Sequence, residues 1–356
     1  MAYTTIDDPS AHFQTALYTG DGSANHAITN DGNSDLQPDW VWIKNLAADD
    51  SYCLFDSTRG ATEVIHGDAN TAETTDADTL DSFASDGFQV DADDKVNTNT
   101  ESYVAWQWKA NGGSRTTNAE DGNNPAGGYQ ANTTAGFSIV DYTGTGAAGT
   151  MAHGLGAAPD FIMIKNRDEA DSWAVYHSAN TAAPETDYLV LDTTAATADD
   201  ATYWNDTAPT SSVFTVATAH SVNADAETYI AYCFTSIQGY SKFGSYIGNE
   251  DADGPFIHTG FKPSMVITWP SAGGNRNIND NARDPVNPLD NRLRLNSTHH
   301  EGDFGGTGYP RMDTLSNGFK IVADGTAYNQ DGSTNFYMAW AESPFVTSGG
   351  VPCTAR

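Results

Sequence analysis

Several short clusters in the sequence contain residue types that could bind a ligand. The stretch GTGAAG at 144–149 has the spacing of a dinucleotide-binding glycine loop, which requires a following helix whose N-terminus meets a pyrophosphate. The residues after it, at 151–156, do not predict a helix, and another strand follows them. The corresponding loops at 20–22 and 248–250 lack the glycine spacing. We therefore interpret 144–149 as a hairpin loop.

Three stretches offer candidate metal ligands. HHEGD at 299–303 places imidazoles beside carboxylates, but neither a His-Glu-x-x-His helix nor a third ligand at a known spacing accompanies it, so we interpret it as a solvated loop. EDADG at 250–254 and NDGNSD at 30–35 are oxygen-rich turns that could hold Ca²⁺, although neither completes an EF-hand loop. Asp251 and Asp253 are the candidate ligands, and we expect no other cofactor.

No catalytic constellation emerges from the spacing of nucleophiles, acids and bases. The chain has neither a Gly-x-Ser-x-Gly elbow nor a P-loop. Its 47 acidic residues make neighbouring carboxylates inevitable, so such pairs do not by themselves indicate a two-carboxylate glycosidase. We predict that the protein is not an enzyme and has no catalytic residues.

Aromatic and polar loop residues are the remaining ligand-binding candidates. Indole rings suit the faces of sugars, but several of the tryptophans lie on recurring strands, which favours a core role: Trp40, Trp42, Trp106 and Trp108. Two others lie outside those strands, and a polar excursion at 271–290 adds loop residues suited to recognition. The weak ligand-binding candidates are therefore Trp173, Trp204, Asn275, Arg276 and Asn277.

A repeated unit positions these residues. The opening strand of the unit reads PDWVWIKN at 38–45, PDFIMIKN at 159–166 and PSMVITW at 263–269. A phenylalanine strand and a closing strand follow in each copy, and the closing strands begin at Tyr103, Tyr229 and Tyr337. The similar spacing of these landmarks indicates three successive copies of one unit.

The opening strand predicts the fold class. Side chains alternate between the two faces of a strand, so Trp40 and Trp42 lie on one face and Val41 and Ile43 on the other. Both faces are apolar, which is typical of a central strand covered on two sides. We therefore predict an all-β fold of three tandem β-sandwich, jelly-roll-like modules, each closed on its own core with its tryptophans inside.

Composition shifts and turn residues predict the domain boundaries. The predicted segments are an N-terminal anchor segment at 1–12, modules at 13–113, 135–238 and 239–347, a polar Gly- and Asn-rich linker at 114–134, and a C-terminal tail at 348–356. Almost no linker separates the second and third modules, so we expect them to pack rigidly together.

The net charge of −31 restricts the partners. It repels phosphate backbones and anionic membranes, and no basic stripe is visible, so we expect neither a nucleic-acid partner nor membrane insertion. Such a surface favours solubility in saline, for example marine, surroundings. The three widely spaced cysteines predict thiols rather than a disulfide framework. The sequence shows no signal peptide and no run of apolar residues long enough to span a bilayer, so we expect synthesis in a cytoplasm.

A set of motifs in the first copy resembles a known family. These motifs are FQT at 13–15, LYTG at 17–20, QPDWVWIKN at 37–45, LFDSTRG at 54–60, FASDGF at 83–88 and YVAW at 103–106. Together they resemble a domain of unknown function in virion proteins of tailed, mostly marine bacteriophages. The resemblance covers residues 13–113 and weakens in the later copies, and it carries over no catalytic residue.

The resemblance implies a structural protein on the exterior of the virion. We expect a tail fibre or receptor-binding component, with other virion proteins and a host surface glycan or protein as partners, and a homo-oligomeric state by analogy with fibres. A capsid decoration or head-fibre protein is the alternative. A carbohydrate-active enzyme is the distant third possibility.

Overall fold

The computed structural model describes residues 2–302 and 311–353. Nearly all regular structure in these residues is β-strand, which confirms the expected all-β class. Short apolar runs alternate with segments rich in Gly, Asn, Asp and Ser, which favour turns and end each strand after a few residues. The short helices among the described residues are α1 (Asp94–Asn97), α2 (Ala201–Trp204), α3 (His220–Asn223) and α4 (Thr326–Asn329), with 3₁₀ turns at Pro9–Ala11 and Pro184–Thr186.

The first group of strands, unit 1 (residues 13–108), forms a large and a small sheet. Its strands are β1 (Phe13–Thr19), β2 (His26–Thr29), β3 (Trp40–Asn45), β4 (Cys53–Asp56), β5 (Gly60–His66), β6 (Thr74–Thr75), β7 (Leu80–Ala84), β8 (Gly87–Val90) and β9 (Ser102–Trp108). The large sheet has the order β1-β9-β3-β4-β5-β6 and the small sheet the order β2-β8-β7.

The second group, unit 2 (residues 116–234), has a wider large sheet. Its strands are β10 (Thr116–Asn118), β11 (Ala126–Asn132), β12 (Phe137–Thr143), β13 (Gly149–Ala152), β14 (Phe161–Asn166), β15 (Ala174–His177), β16 (Asp187–Val190), β17 (Ala198–Asp199), β18 (Val213–Val216) and β19 (Thr228–Phe234). The large sheet has the order β10-β11-β12-β19-β14-β15-β16-β17, and β13 pairs with β18.

The third group, unit 3 (residues 241–344), follows the same plan. Its strands are β20 (Ser241–Ile247), β21 (Phe256–His258), β22 (Phe261–Pro270), β23 (Asn277–Asp280), β24 (Leu293–Arg294), β25 (Met312–Leu315), β26 (Gly318–Ile321) and β27 (Thr334–Pro344). The large sheet has the order β20-β27-β22-β23-β24 and the small sheet the order β21-β26-β25.

One strand order recurs in the large sheets: β1-β9-β3-β4-β5, β12-β19-β14-β15-β16 and β20-β27-β22-β23-β24. Neighbouring strands are antiparallel, and none of the sheets built from the described residues closes into a barrel. The opening strand lies at the centre of each large sheet and is buried on both faces, as predicted: every residue of β3 and of β14 is buried.

The closing strand of unit 3 differs from its predicted alignment by two residues. Tyr18 pairs with Tyr103 in unit 1 and Tyr142 pairs with Tyr229 in unit 2, whereas Tyr246 pairs with Asn335. Asn335, not Tyr337, is therefore the counterpart of the other closing tyrosines. Because side chains alternate with a period of two, this even shift leaves the assignment of faces intact.

The prediction of three separate cores is wrong in part. Each unit does have an inner core between its two sheets, around Phe88 in unit 1, Phe214 in unit 2 and Phe319 in unit 3. The opposite faces of the large sheets, however, pack against one another in a shared core that contains residues of all three units. The predicted burial of the repeated tryptophans is confirmed, but they lie in the shared core: Trp40, Trp42, Trp106 and Trp108.

Aromatic rings from different units contact one another throughout the shared core. Trp40 of unit 1 stacks on Tyr232 of unit 2 with a centroid distance of 4.4 Å. Trp108 of unit 1 meets Trp340 of unit 3 edge to face at 5.5 Å. Phe161 of unit 2 stacks on Phe243 of unit 3 at 6.2 Å. The apolar surface of each large sheet is therefore removed from water by the other units.

Two segments outside the repeated strands differ from their predicted roles. The predicted linker at 114–134 contains β10 and β11, and β11 pairs with β12 along its full length, so this segment extends the sheet of unit 2. The predicted anchor at 1–12 packs against the protein itself. Ile6 lies in the shared core, Thr4 Oγ1 donates to the Gln238 carbonyl at 2.8 Å, and Tyr3 Oη donates to the Gly260 carbonyl at 2.7 Å.

Candidate functional site

An asparagine at the end of β14 gathers polar side chains at one end of unit 2. Asn166 Nδ2 donates to Asp171 Oδ2 at 2.9 Å and to Glu227 Oε2 through a short hydrogen bond. Asn166 Oδ1 accepts from the backbone N–H groups of Asp168 and Glu169, at 3.0 and 3.2 Å, and so closes the loop that leaves the strand. Asparagine suits this place because its amide can bond the backbone two residues further on.

Unit 1 repeats this arrangement at its own opening strand. Asn45 Nδ2 donates to Asp50 Oδ2 at 2.7 Å and to Glu101 Oε2 at 2.6 Å. Asn45 Oδ1 accepts from the backbone N–H groups of Ala47 and Ala48. The asparagine cluster therefore belongs to the repeated fold, and its first role is to fix the loops at the ends of the strands.

A histidine makes the cluster of unit 2 chemically different. Asp171, His220 and Glu227 each offer one ligand atom, and these atoms lie within 4.8 Å of one another. The backbone carbonyl of His220 accepts from Tyr229 Oη at 2.6 Å, and in unit 1 the carbonyl of Asp94 accepts from Tyr103 Oη at 2.8 Å. Asp94 is therefore the counterpart of His220. Within the described part of the chain, the unit 2 group alone meets this geometric test for a metal ion.

A buried ionic cluster joins unit 1 to unit 2. Arg59 Nε contacts Asp56 Oδ2 at 2.5 Å, and neither side chain is exposed. Arg59 Nη1 contacts Glu73 at 2.9 Å, and Glu73 also binds Arg167 of unit 2 at 2.6 Å. Tyr232 Oη of unit 2 donates to Asp56 Oδ2 at 2.7 Å. Burial alone would lower the pKa of Arg59. The nearby negative groups, of which Asp56 has the largest effect, raise the pKa above its ordinary value.

A second buried ion pair joins unit 3 to unit 1. Arg283 contacts Asp280 at 2.7 Å and Glu301 at 2.6 Å. Trp106 Nε1 of unit 1 donates to Asp280 Oδ2 at 3.2 Å. Because buried charges require partners, these side chains hold the units together.

The predicted surface roles of Trp173 and Trp204 are wrong, because both side chains are buried. Trp173 lies in the shared core, where its Nε1 donates to the His66 carbonyl at 2.9 Å. Trp204 lies in the inner core of unit 2, where its Nε1 donates to the Asp187 carbonyl at 3.1 Å. Each indole therefore fills a core and has its polar atom satisfied within the protein.

The predicted loop candidates Arg276 and Asn277 are also buried, while Asn275 is half-buried. The guanidinium of Arg276 lies over the Trp269 ring, 4.4 Å from its centroid, and donates to the Ala195 carbonyl of unit 2 at 2.8 Å. Burial lowers the pKa of Arg276, against the opposing effect of Asp192. Arg276 thus connects units 2 and 3, and the prediction that it recognises an external ligand from an exposed loop is wrong.

In the turns that the sequence predicted as metal sites, protein groups already bind the side-chain oxygens. Asp253 forms an ion pair with Lys320, and Asp251 Oδ1 accepts from the backbone N–H of Asp253 at 2.8 Å. In the other acidic turn, Asn30 Oδ1 accepts from Gln107 Nε2 at 2.6 Å. Ca²⁺ binding at these turns stays a prediction.

Two further motifs of the sequence have clear places in the structure. The glycine loop at 144–149 leads into β13 rather than into a helix, as predicted. His300 Nδ1 lies 2.7 Å from Asp49 Oδ1 of unit 1, and His299 lies 3.7 Å from the same carboxylate. Asp303, the last residue of that motif, is outside the described residues.

A polar interior in unit 3 is a feature that the sequence analysis missed. Thr268 pairs with Asn277, where Ile43 pairs with Cys53 in unit 1 and Ile164 with Ala174 in unit 2. In the described residues, several buried polar atoms of this interior have no hydrogen-bond partner: Thr268 Oγ1, Asn277 Oδ1, both amide atoms of Asn279, and Tyr328 Oη. The signal was the two asparagines of β23, Asn277 and Asn279, because the matching residues are Cys and Phe in β4 and Ala and Tyr in β15.

Two open depressions lie where unit 1 meets unit 3. One, of about 420 Å³, includes Leu17, Ala47, Arg283 and Glu301 in its wall. The other, of about 330 Å³, includes Asp31, Asn33, Asn281 and Glu342. Their polar, open walls could contact a large surface ligand better than they could enclose a small one.

Comparisons with known proteins identify a family without an assigned activity. No curated protein matches the chain, and no solved structure matches it. No helix in the described ranges combines the length and apolar character needed to cross a membrane. The family match is not confined to residues 13–113, as the sequence motifs suggested, but extends over residues 8–344. The chain therefore belongs to the family described as Domain of unknown function (DUF7483).

Proposed function

We propose that the protein is a structural component of the exterior of a tailed bacteriophage, built from three copies of one jelly-roll-like β-sandwich around an approximate threefold axis. Matched residues of the units make the contacts that support this arrangement. Asp56, His177 and Asp280 pair with Trp40, Phe161 and Met265 on the opening strands, and so occupy one position of the repeat.

Each of these matched residues contacts the next unit. Asp56 of unit 1 accepts from Tyr232 of unit 2. His177 of unit 2 lies 3.3 Å from the Tyr337 carbonyl of unit 3, and Asp280 of unit 3 accepts from Trp106 of unit 1. This closed cycle of contacts is the observation that carries the proposal, because it joins the three units into one body.

The choice of a phage particle rests on the motifs of unit 1. Rigid β-scaffolds present recognition loops on their outside, and the acidic surface favours solubility in saline surroundings. We propose a tail fibre or receptor-binding component that contacts other virion proteins and a host surface glycan or protein. Any homo-oligomer would form through the outer faces, since the aromatic faces of the large sheets already cover one another.

Localisation on the particle tests this function. Antibodies against the folded protein should label the tails of purified particles in electron micrographs, and the labelled protein should bind host cells. Binding to emptied heads without binding to cells would favour the decoration or head-fibre alternative. Absence of the protein from purified particles, together with its presence in the infected lysate, would overturn the virion assignment.

A further inference from the structure

We propose that Asp171, His220 and Glu227 form a binding site for a divalent metal ion on unit 2, with a preference for Zn²⁺ or Co²⁺ over Ca²⁺. The ligand atoms of the three side chains lie within 4.8 Å of one another. In a tetrahedral zinc site with bonds of about 2.0–2.1 Å, the donor atoms stand about 3.3 Å apart, so side-chain rotations that close a gap of about 1.5 Å bring these atoms to bonding distance. The site goes beyond the proposed structural function and does not depend on it.

The surrounding hydrogen bonds orient the ligands and leave them capacity to bind. Asn166 Nδ2 donates to Asp171 Oδ2 and to Glu227 Oε2. The second oxygens, Asp171 Oδ1 and Glu227 Oε1, and the imidazole of His220 make no hydrogen bond within the part of the chain that the structure describes. Outer partners of this kind fix metal ligands in position, and their loss commonly weakens binding.

Charge and access both suit a divalent cation. The two carboxylates carry two negative charges, and a neutral imidazole completes a mixed nitrogen and oxygen ligand set. His220 is exposed, and Asp171 and Glu227 are half-buried, so an ion can enter from solvent. Lys165 faces Asp171, but its ammonium group is bound to the carbonyls of Asn166 and Glu169 at 2.7 and 3.2 Å.

Unit 1 provides an internal comparison. Asn45, Asp50 and Glu101 repeat the cluster, but Asp94 stands where unit 2 has His220. Oxygen-only ligand sets suit Ca²⁺, Mg²⁺ and Mn²⁺, whereas imidazole favours Zn²⁺ and Co²⁺. His220 is therefore the residue that gives the cluster of unit 2 a preference for Zn²⁺ and Co²⁺, whereas the cluster of unit 1 only fixes its loop.

Titration of the untagged, chelator-treated full chain tests the site. The background is His299→Gln/His300→Gln, because these two imidazoles beside Asp49 form a competing cluster. The titration is run at about pH 7.5, because protons compete with metal ions for ligand nitrogens at lower pH. Calorimetry should show one Zn²⁺ per chain, and Co²⁺ should give the absorption bands of a nitrogen-ligated ion.

Two variants test whether the histidine binds the metal ion. His220→Ala should weaken Zn²⁺ binding by at least about tenfold, without changing the unfolding midpoint of the metal-free protein. Asp94→His should create a second Zn²⁺ site on unit 1, because the remaining ligands are already in place. Absence of Zn²⁺ binding at millimolar concentration, or equal binding by the background protein and His220→Ala, would overturn the site. Failure of Asp94→His to add a site would refute the deciding role of the histidine.

Discussion

Single residues make the interior of unit 3 polar, although units 1 and 2 have the same strand order and an apolar interior at this position. Thr268 and Asn277 occupy a cross-strand pair whose counterparts in the other units are apolar. Thr268 is fully buried, and its hydroxyl has no partner among the described residues. A buried polar group without a partner loses its hydration and gains nothing in return, so this interior lowers the stability of the protein.

Replacing Thr268 by valine should therefore stabilise the protein. We expect Thr268→Val to raise the free energy of unfolding by about 1 kcal/mol, because it removes an unpaired hydroxyl and keeps the shape of the side chain. Denaturant titration at neutral pH measures the change.

Thr79 provides the matched control. It is equally buried, but its Oγ1 donates to the Asp76 carbonyl at 2.7 Å. Thr79→Val should lower the free energy of unfolding by about 1 kcal/mol, since it removes this hydrogen bond. Destabilisation by both substitutions would mean that the Thr268 hydroxyl has a partner, such as an internal water molecule.

At the scale of elements, the ends of β4 and β23 anchor each unit to its neighbour. Asp56 and Asp280 close these strands, and each forms an ion pair with an arginine three residues later. The same carboxylates accept from Tyr232 and Trp106 of other units. Both arginine side chains are almost completely buried, so each charge depends on its partner.

Removing Arg59 should be strongly destabilising. Arg59→Leu leaves Asp56 buried without its cation, and we expect a loss of about 3–5 kcal/mol in the free energy of unfolding. Arg311→Leu is the control, because that pair with Asp290 is about half exposed and such pairs contribute about 1 kcal/mol or less. Equal denaturation midpoints for Arg59→Leu and the parent protein would contradict a role of this cluster in joining the units.

His177, at the matched position of unit 2, predicts a dependence of stability on pH. Burial lowers its pKa to about 4, although the Tyr337 carbonyl and Asp160 oppose this effect. Below its ordinary pKa of about 6.5 the unfolded chain binds a proton that the folded protein excludes. The contribution of neutral His177 to the free energy of unfolding is therefore complete above about pH 6.5 and is lost as the pH falls towards about 4.

The variant His177→Gln isolates this contribution. Between about pH 7.5 and pH 5.5, the parent protein should lose about 1 kcal/mol more of its unfolding free energy than the variant does. This window stays above the titration of ordinary carboxylates. Identical pH slopes for the two proteins would show that His177 is already protonated in the fold or is accessible to water.

At the scale of the whole molecule, the shared core makes the three units depend on one another. The faces that carry Trp40, Trp108 and Trp340 are covered by other units, and removal of one unit would expose them to water. Large exposed apolar patches promote association and loss of solubility. The full chain should consequently unfold as one body and not as three independent domains.

An isolated unit tests this dependence. A fragment of residues 13–113 should aggregate or bind a hydrophobic dye, whereas the full chain should show a single calorimetric transition with equal calorimetric and van't Hoff enthalpies. The same fragment with Trp40→Ser and Trp108→Ser should gain solubility. A soluble, unmodified fragment that unfolds cooperatively at the midpoint of the full chain would contradict the dependence.

Several features of the fold could be predicted from the sequence because they are local. The alternation of Trp40, Val41, Trp42 and Ile43 indicated a strand covered on both faces, and the structure buries all four. Recurrence of that pattern located the opening strands of all three units, since the period of side chains along a strand does not depend on distant contacts. The closing strand of unit 3 was aligned incorrectly because Tyr337 has the same residue type as Tyr103 and Tyr229, whereas the position that corresponds to these tyrosines is Asn335.

The candidate site was less predictable. Asp171, His220 and Glu227 are separated along the chain, and the loops around Asn166 bring them together. No spacing rule connects them. The residues that local sequence patterns favoured, such as Trp173 and Arg276, are buried in the structure.

By itself, the sequence determined that this protein is made of β-strands in a repeated order and that its tryptophans lie inside, because alternation and turn residues act over a few neighbouring positions. Only the tertiary structure decided which faces meet. A strand that is apolar on both sides is compatible with three separate cores or with one shared core. The choice depends on contacts such as that between Trp40 and Tyr232, which no local pattern encodes.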